Sequence, residues 1–262
     1  MELELAGHTA LITGASSGIG AAIARLLASE GVSLALVGRD RQRLERSRQN
    51  LSETSPSTII EVQADVAITS DASRIVEAVH ESFGGLDWVI HAAGDAPVAL
   101  PSAITDDVWR RSLETKLLGA ARLNTAALPA LKRSQAGVIV HIVGTAGRDP
   151  YPLLTVNSVV NAGLLAYAKC LADELAPFGI RVVAVSPGWT ETPLLHAMAK
   201  DLARYEKRST EEQLNAMRQS LWGRLPTAQE IAAAVMFLLS SQAGMVTGTT
   251  VDVDGGVRRG LA

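Results

Sequence analysis

The residues whose types and spacing suggest chemistry begin close to the N-terminus. The run Thr13-Gly14-Ala15-Ser16-Ser17-Gly18-Ile19-Gly20 follows a short apolar segment and leads into helical spacing of Ile23, Leu26 and Leu27. Glycines at a strand-to-helix turn supply positive φ and a bare backbone that a pyrophosphate can approach. The helix start adds unpaired N–H groups and the positive end of a dipole. A tight turn alone would use the same glycines, but their place in the first strand-to-helix turn of an alternating chain favours a phosphate cradle. The next apolar run ends at Gly38 and Arg39. Folds that bind NAD carry an acidic residue there for the ribose 2′-hydroxyl, whereas an arginine suits a 2′-phosphate. NADP(H) is therefore favoured over NAD(H). Arg41, Arg43, Arg46 and Arg48 read as a solvated helix face.

Such residues need elements to position them. Short apolar runs at 8–13, 33–37, 59–63, 86–90, 138–143, 181–185 and 249–253 predict buried strands. Helical spacing predicts helices over 20–30, 71–83, 106–131, 157–177 and 228–240. Strands alternating with helices require crossovers and hence parallel pairing. The expected fold is α/β, a doubly wound parallel sheet (Rossmann fold) in a single domain over 1–262. Residues 193–224 form a long polar insertion, expected to cover the substrate or to be a solvated helix pair. Leu194, Leu195, Met198, Met217, Leu221 and Trp222 within it suggest an apolar ligand.

Composition narrows the function classes. The 262 residues hold 24 Lys plus Arg against 27 Asp plus Glu, with 47% hydrophobic residues. That apolar content excludes a disordered chain, and the charge balance lacks the basic face that nucleic acid requires. One cysteine, Cys170, excludes an internal disulfide and a cysteine-built zinc site, and no metal is expected. Glu2 and Glu4 stand where a secretory leader would be basic. No run of about 18 apolar residues is present to span a membrane. A cytoplasmic protein with a small-molecule substrate, and without a membrane or nucleic-acid partner, is expected.

With these residues in view, the chain resembles the short-chain dehydrogenase/reductase family over nearly its whole length. The run at 13–20 is similar to that family's TGxxxGxG loop, and Asp65-Val66 to its adenine-contacting pair. His91-Ala92-Ala93-Gly94 matches its Asn-Asn-Ala-Gly stretch with both asparagines replaced. Pro187 and Gly188, followed by Thr190 and Thr192, resemble its nicotinamide-facing turn, and 223–256 is also family-like. The resemblance implies cofactor contacts at Gly14, Ser16, Ser17, Gly18, Ile19, Gly20, Arg39, Asp65, Val66, Ala93, Gly94, Asn161, Pro187, Gly188, Thr190 and Thr192. It also implies a homo-oligomer, tetramer or dimer. The Ala-, Leu- and Val-rich helix at 157–177 suits such an interface.

The family's catalytic side chains are absent. Its proton-donating Tyr and the Lys four residues later map, by ungapped register over 161–188, onto Asn157 and Asn161. Its Ser maps onto Gly144, with Thr145 adjacent, and its relay Asn onto Lys116. An amide donates a hydrogen bond but gives up no proton near neutral pH, and glycine offers nothing. Acid–base catalysis by tyrosine, worth about 10²–10⁴-fold, is therefore not available in its usual form.

Lys116 is expected to supply the charge missing at Asn161, since buried lysines shift their pKa readily, while Asn161 still bonds the ribose hydroxyls. The alternatives are that Lys116 faces solvent or pairs with Glu114 or Glu174. Thr145 replaces the serine hydroxyl only if the backbone shifts by one residue. Tyr151 lies near the expected cleft, or is an ordinary loop aromatic. His91 reads as a structural histidine bonded to backbone, His141 as a core residue, and Tyr167 and Lys169 as packing and surface residues.

Three function classes follow. The first is an NADP(H)-dependent oxidoreductase acting on the carbonyl or alcohol of a small apolar substrate. The second is an isomerase, lyase or cyclase, and the third a non-catalytic cofactor-binding subunit. The retained Thr192 and Pro187-Gly188 favour the first.

Overall fold

The protein was analysed as a computed structural model that describes residues 3–53, 55 and 57–260. The single-domain reading of 1–262 also takes in Met1, Glu2, Thr54, Pro56, Leu261 and Ala262, which lie outside the described residues.

The apolar runs form seven strands: β1 (Thr9–Thr13), β2 (Ser33–Gly38), β3 (Ile59–Gln63), β4 (Trp88–His91), β5 (Val138–Ile142), β6 (Arg181–Pro187) and β7 (Thr249–Val253). They pair in parallel in the order β3-β2-β1-β4-β5-β6-β7. The helices are α1 (Gly18–Ser29), α2 (Arg41–Ser52), α3 (Thr69–Phe83), α4 (Asp106–Ser112), α5 (Gly119–Leu131), α6 (Thr155–Leu175), α7 (Pro193–Glu206), α8 (Thr210–Met217) and α9 (Ala228–Leu239). Successive strand residues face opposite sides. Ala10, Ile12, Leu34, Leu36 and Ile90 pack with Ile23 and Leu27 of α1 and with Ile231 and Val235 of α9. Leu11, Ala35, Val37 and Val89 pack with Ile75 and Val79 of α3, Leu123 of α5 and Leu171 of α6. Both faces are covered, so the strands read as continuous apolar runs. The fold is the doubly wound α/β type, and no helix among the described residues is long and apolar enough to cross a membrane.

Three elements differ from the sequence reading in instructive ways. The predicted helix over 106–131 is α4, then a π-helical stretch (Leu113–Leu118), then α5. Amphipathic spacing does not distinguish the two hydrogen-bond registers, and such stretches occur often at functional sites. Helix α2, marked in the sequence only by the arginines of its solvated face, has just Leu44 and Leu51 buried, too thin an apolar pattern to give its bounds. It starts because the Asp40 side chain accepts from Arg43 N at 3.0 Å. Helix α1 begins at Gly18, two residues before its predicted start, because glycine carries little helix signal of its own.

Strand order reverses between β1 and β4, so the loops leaving Thr13 and His91 part from one another at the C-terminal edge of the sheet. Gly20 packs α1 against the loop there: a Cβ on it would lie 2.4 Å from Gly14 O. Gly20→Ala is expected to lower stability by about 1–3 kcal/mol through overpacking. Urea unfolding measures this, and an unchanged midpoint would refute the close approach.

Candidate active site

A cavity of about 720 Å³ opens at this edge, where the loops diverge. One end is built from backbone. Gly14, Ser16, Ser17, Gly18 and Ile19 line it. Gly14 has φ +68°, and a Cβ there would stand 2.7 Å from Ala92 O. Gly20 lies just behind the cavity wall, where it packs the start of α1 against Gly14. Thr13 Oγ1 accepts from Ala92 N and Ala93 N, both at 3.2 Å, and so holds the end of β4 where Ala93 and Gly94 reach the wall. Asp65 and Val66 line the same end, with Asp65 Oδ1 accepting from Ala67 N at 3.0 Å.

Arg39 lines the wall beyond β2, joined by Asp40 and Arg43. Arg43 pairs with Asp40 at 3.2 Å and stays exposed, as a solvated helix face requires, while also reaching the cavity rim. Arg41 pairs with Glu45 on the helix surface at 2.8 Å, and neither lines the cavity. Across the cavity stand Pro187, Gly188, Thr190 and Thr192. Thr190 Oγ1 donates to Gly188 O at 2.9 Å. Thr192 Oγ1 donates to Thr190 O at 3.1 Å and caps α7 by accepting from Leu195 N at 3.2 Å. The two hydroxyls thus hold the Pro-Gly turn against the start of the cover.

Lys116, Gly144, Thr145, Asn157 and Asn161 line the middle of the cavity together. Asn161 is 1% exposed, and both of its side-chain polar atoms lack partners among the described residues. Gly144 has φ +113°, and a Cβ there would come 3.2 Å from Asn161 Nδ2. A serine at 144 would be strained and would crowd that amide. Lys116 lies in the π-helical stretch and donates from Nζ to Val143 O at 2.7 Å. It pairs with neither Glu114, which binds Arg122 at 2.5 Å, nor Glu174; the residue is half-buried, with its ammonium turned inward onto the Val143 carbonyl. Burial lowers its pKa to about 8, while the nearby Asp95 carboxylate opposes the shift. Asp95 also accepts from Ser112 Oγ at 2.9 Å. Gly94 leaves room for the lysine stem, since a Cβ on it would lie 3.2 Å from Lys116 Cδ.

Other candidates sit elsewhere. His91 bonds a side chain rather than the backbone: Nε2 meets Asn124 Oδ1 at 2.7 Å. Its ring stacks on that of His141 at 4.6 Å, and neither histidine lines the cavity. Burial lowers the pKa of His91 to about 4 and holds His141 well below its ordinary value, so both are neutral at pH 7. Tyr167 accepts from Asn124 Nδ2 at 3.3 Å, and Lys169 pairs with Asp173 on the surface at 2.6 Å. Tyr151 lines the cavity, but its hydroxyl donates to Glu206. That bond, with burial, raises its pKa to about 12, which makes it a poor acid at neutral pH.

Helices α7 and α8 contribute Leu194, Leu195, Met198 and Met217 to the wall. Leu221 and Trp222 do not belong to it; they are 68% and 74% exposed. Asp95, Arg111, Trp189, Glu206, Arg208 and Gln213 line the cavity without a prior signal beyond proximity to Gly94, Gly188 or the cover. The C-terminal segment closes one side. Asp252 of β7 bonds Arg148, in the loop after β5, and pairs with Arg258 at 3.2 Å, while Val257 reaches the wall. A glycine-rich backbone loop with positive φ at Gly14 and Gly18, an unpartnered amide at Asn161 and cationic Arg39 fit a nicotinamide dinucleotide.

Comparisons with known proteins agree with this geometry. Residues 14–258 match a family model described as Enoyl-(Acyl carrier protein) reductase. The 3-oxoacyl-[acyl-carrier-protein] reductase FabG of Salmonella typhimurium is 32% identical over 261 residues, spanning 97% of this chain and 99% of that protein. The L-sorbose reductase from Gluconobacter frateurii, solved with NADPH and L-sorbose, superposes with a TM-score of 0.94 at 31% identity, covering 100% of both chains. A 3-ketoacyl-(acyl-carrier-protein) reductase from Brucella melitensis, complexed with NADH, gives 0.85 at 30% identity over 97% of this chain and 99% of that one.

The buried ammonium makes a prediction about stability. Lys116 binds its proton less tightly when folded, pKa about 8 against 10.5, so across that window the unfolded chain holds more proton and stability rises with pH. The gain is about 3 kcal/mol. Relative to the wild type, Lys116→Met should lose an advantage of that size between neutral pH and the top of the window, measured by denaturant unfolding at each pH. A difference independent of pH would refute the burial of the charge.

Proposed function

The chain belongs to the short-chain dehydrogenase/reductase family of NAD(P)-dependent oxidoreductases, and from this premise we propose that it exchanges hydride between NADP(H) and the carbonyl or alcohol of a small substrate by a route that does without the family's tyrosine–lysine pair. The observation that carries the proposal is one continuous cavity. It joins the glycine cradle and Arg39 to Lys116, Asn157 and Asn161, and continues under the cover.

Within this reading, the backbone of Gly14–Ile19 binds the pyrophosphate, Asp65 and Val66 the adenine, and Arg39, aided by Arg43, the 2′-phosphate. Ala93, Gly94, Pro187, Gly188, Thr190 and Thr192 hold the nicotinamide half. The cofactor supplies the hydride. The amide of Asn161 bonds the ribose hydroxyls, which would satisfy its unpartnered atoms. Asn157 orients the substrate oxygen by donating a hydrogen bond, and Thr145 lies beside it on the wall.

Lys116 is the proton source. An ammonium whose pKa is about 8 stands close to the working range of a general acid. Its positive charge also stabilises an alkoxide forming nearby. Tyr151, held by Glu206, latches the cover instead of donating the proton. Relatives support the reaction class: the Salmonella protein is named as a 3-oxoacyl reductase, and the Gluconobacter protein was solved with a ketose and NADPH. The FabG-like and sorbose-reductase relatives favour the oxidoreductase over the isomerase or subunit reading. We read 1–262 as a single domain with 193–224 as its substrate cover. Leu118 (40% exposed) and Val159 (50% exposed), on the face that includes α6, support a homo-oligomer, dimer or tetramer.

Two experiments test the assignment. Energy transfer from tryptophan to bound NADPH should give affinities that Arg39→Ala weakens roughly ten- to hundredfold while leaving NADH binding unchanged. Equal loss of both nucleotides would remove the phosphate role. With any carbonyl compound that supports 340 nm turnover, Lys116→Met should lower kcat by about 10²–10⁴-fold with little change in NADPH affinity. Full turnover in that variant would move the proton source to water or to an acidic group of the substrate.

A further inference from the structure

The cover holds a buried polar group that the reaction above leaves unused. Gln213, on α8, is 5% exposed and lines the cavity. Its Oε1 has no hydrogen-bond partner among the described residues. The helix start does not need it, because the reciprocal cap between Ser209 and Glu212 already closes that end, with Ser209 N donating to Glu212 Oε2 at 2.7 Å. Buried carboxamides are nearly always hydrogen-bonded, and an exception asks for a reason.

The same wall carries a matched set of charged groups. The Tyr151 hydroxyl donates to Glu206, and Glu206 pairs with Arg208 at 3.1 Å. Around them the wall is aliphatic, with Leu195, Met198, Leu202 and Met217. The cover is therefore amphipathic, and its polar part is electrically balanced before any ligand arrives.

We propose that Gln213 is a recognition point for a hydroxyl of the substrate remote from the reacting carbon, so that the enzyme takes uncharged, hydroxylated carbonyl compounds rather than purely apolar ones. The inference rests on the oxidoreductase reading of this cavity and specifies its substrate class. A hydroxyl both donates and accepts, so it meets the carboxamide in either orientation of that group. It can also share the free lone pairs of Glu206. A carboxylate or phosphate would face Glu206, while the charge of Arg208 is already matched by that same residue. An ammonium would face Arg208. A bare alkyl chain would leave Oε1 unpaired, and sites built to bond a hydroxyl discriminate strongly against analogues that lack it.

The test compares two probes of equal chain length, a six-carbon ketose and 2-hexanone, titrated against the NADPH-loaded protein with the melting temperature as readout. The wild type should bind the ketose at least about tenfold more tightly than 2-hexanone. Gln213→Met, which replaces the amide with an apolar group of similar shape, should bring the two within about twofold. Gln213→Leu serves as a second apolar replacement. The proposal is overturned if the wild type binds 2-hexanone as well as the ketose, if it binds neither, or if both variants keep the preference. NADPH energy transfer is recorded in the same samples. Should the nucleotide fail to bind, the cofactor reading fails by itself, and the probe comparison is made on the nucleotide-free protein, so the two failures remain separate.

Discussion

The site depends on a gap that the sheet cannot close. A crossover returns the chain to the same end of a parallel sheet, and when β2 and β3 are laid on one side of β1 while β4 to β7 are laid on the other, the two connections must part. Gly14 comes so close to the backbone of Ala92 that only hydrogen fits between. Thr13 then bonds the two amides after β4 and keeps both lips of the gap in register. The glycine loop, the Pro187-Gly188 turn and helices α7 and α8 are all arranged around that opening.

Within the gap, the replaced positions form one unit rather than four separate losses. Glycine at 144 adopts a backbone conformation that L side chains rarely take, and it leaves the Asn161 amide its room. Asn161 in turn brings no charge, which makes a buried ammonium at 116 tolerable beside it. That ammonium needs an acceptor and finds the carbonyl of Val143 at the end of β5. Room for its stem comes from Gly94, and a compensating charge from Asp95. Placing a serine at 144 or a lysine at 161 would disturb at least one of these contacts. Beneath the site, the stacked rings of His91 and His141 stay neutral and add no competing charge.

Much of this was legible in the sequence where the signal is local. Seven strands, most helices and the glycine loop follow from apolar runs and from residues that only a turn explains. Lys116, Asn157, Asn161 and Gly144 could be brought together by register, from the ungapped fit over 161–188, the strand at 138–147 and the helix at 109–119. What stayed hidden depends on packing between distant segments. Nothing in the sequence near Gln213 or Glu206 distinguishes a wall residue from a solvated one, since that depends on how α7 and α8 lie over the sheet. Trp222 and Leu221 looked like ligand contacts for the same reason and are exposed. The π-helical stretch that carries Lys116 leaves no mark in amphipathic spacing.

The bridge from Arg148 through Asp252 to Arg258 has a practical side. It fastens the last described stretch of the chain to the loop that carries Thr145, and Val257 stands in the cavity wall. The amino-terminal stretch is anchored elsewhere: Leu5 is buried in the core on the α1 and α9 side, and Glu4 accepts from Ser241. Val257 and Arg258 therefore flank the mouth of the cavity, whereas Glu4 and Leu5 lie at the opposite edge of the sheet. A probe attached at Arg258 would thus report on the cavity, and one attached at Glu4 on the packing of the sheet.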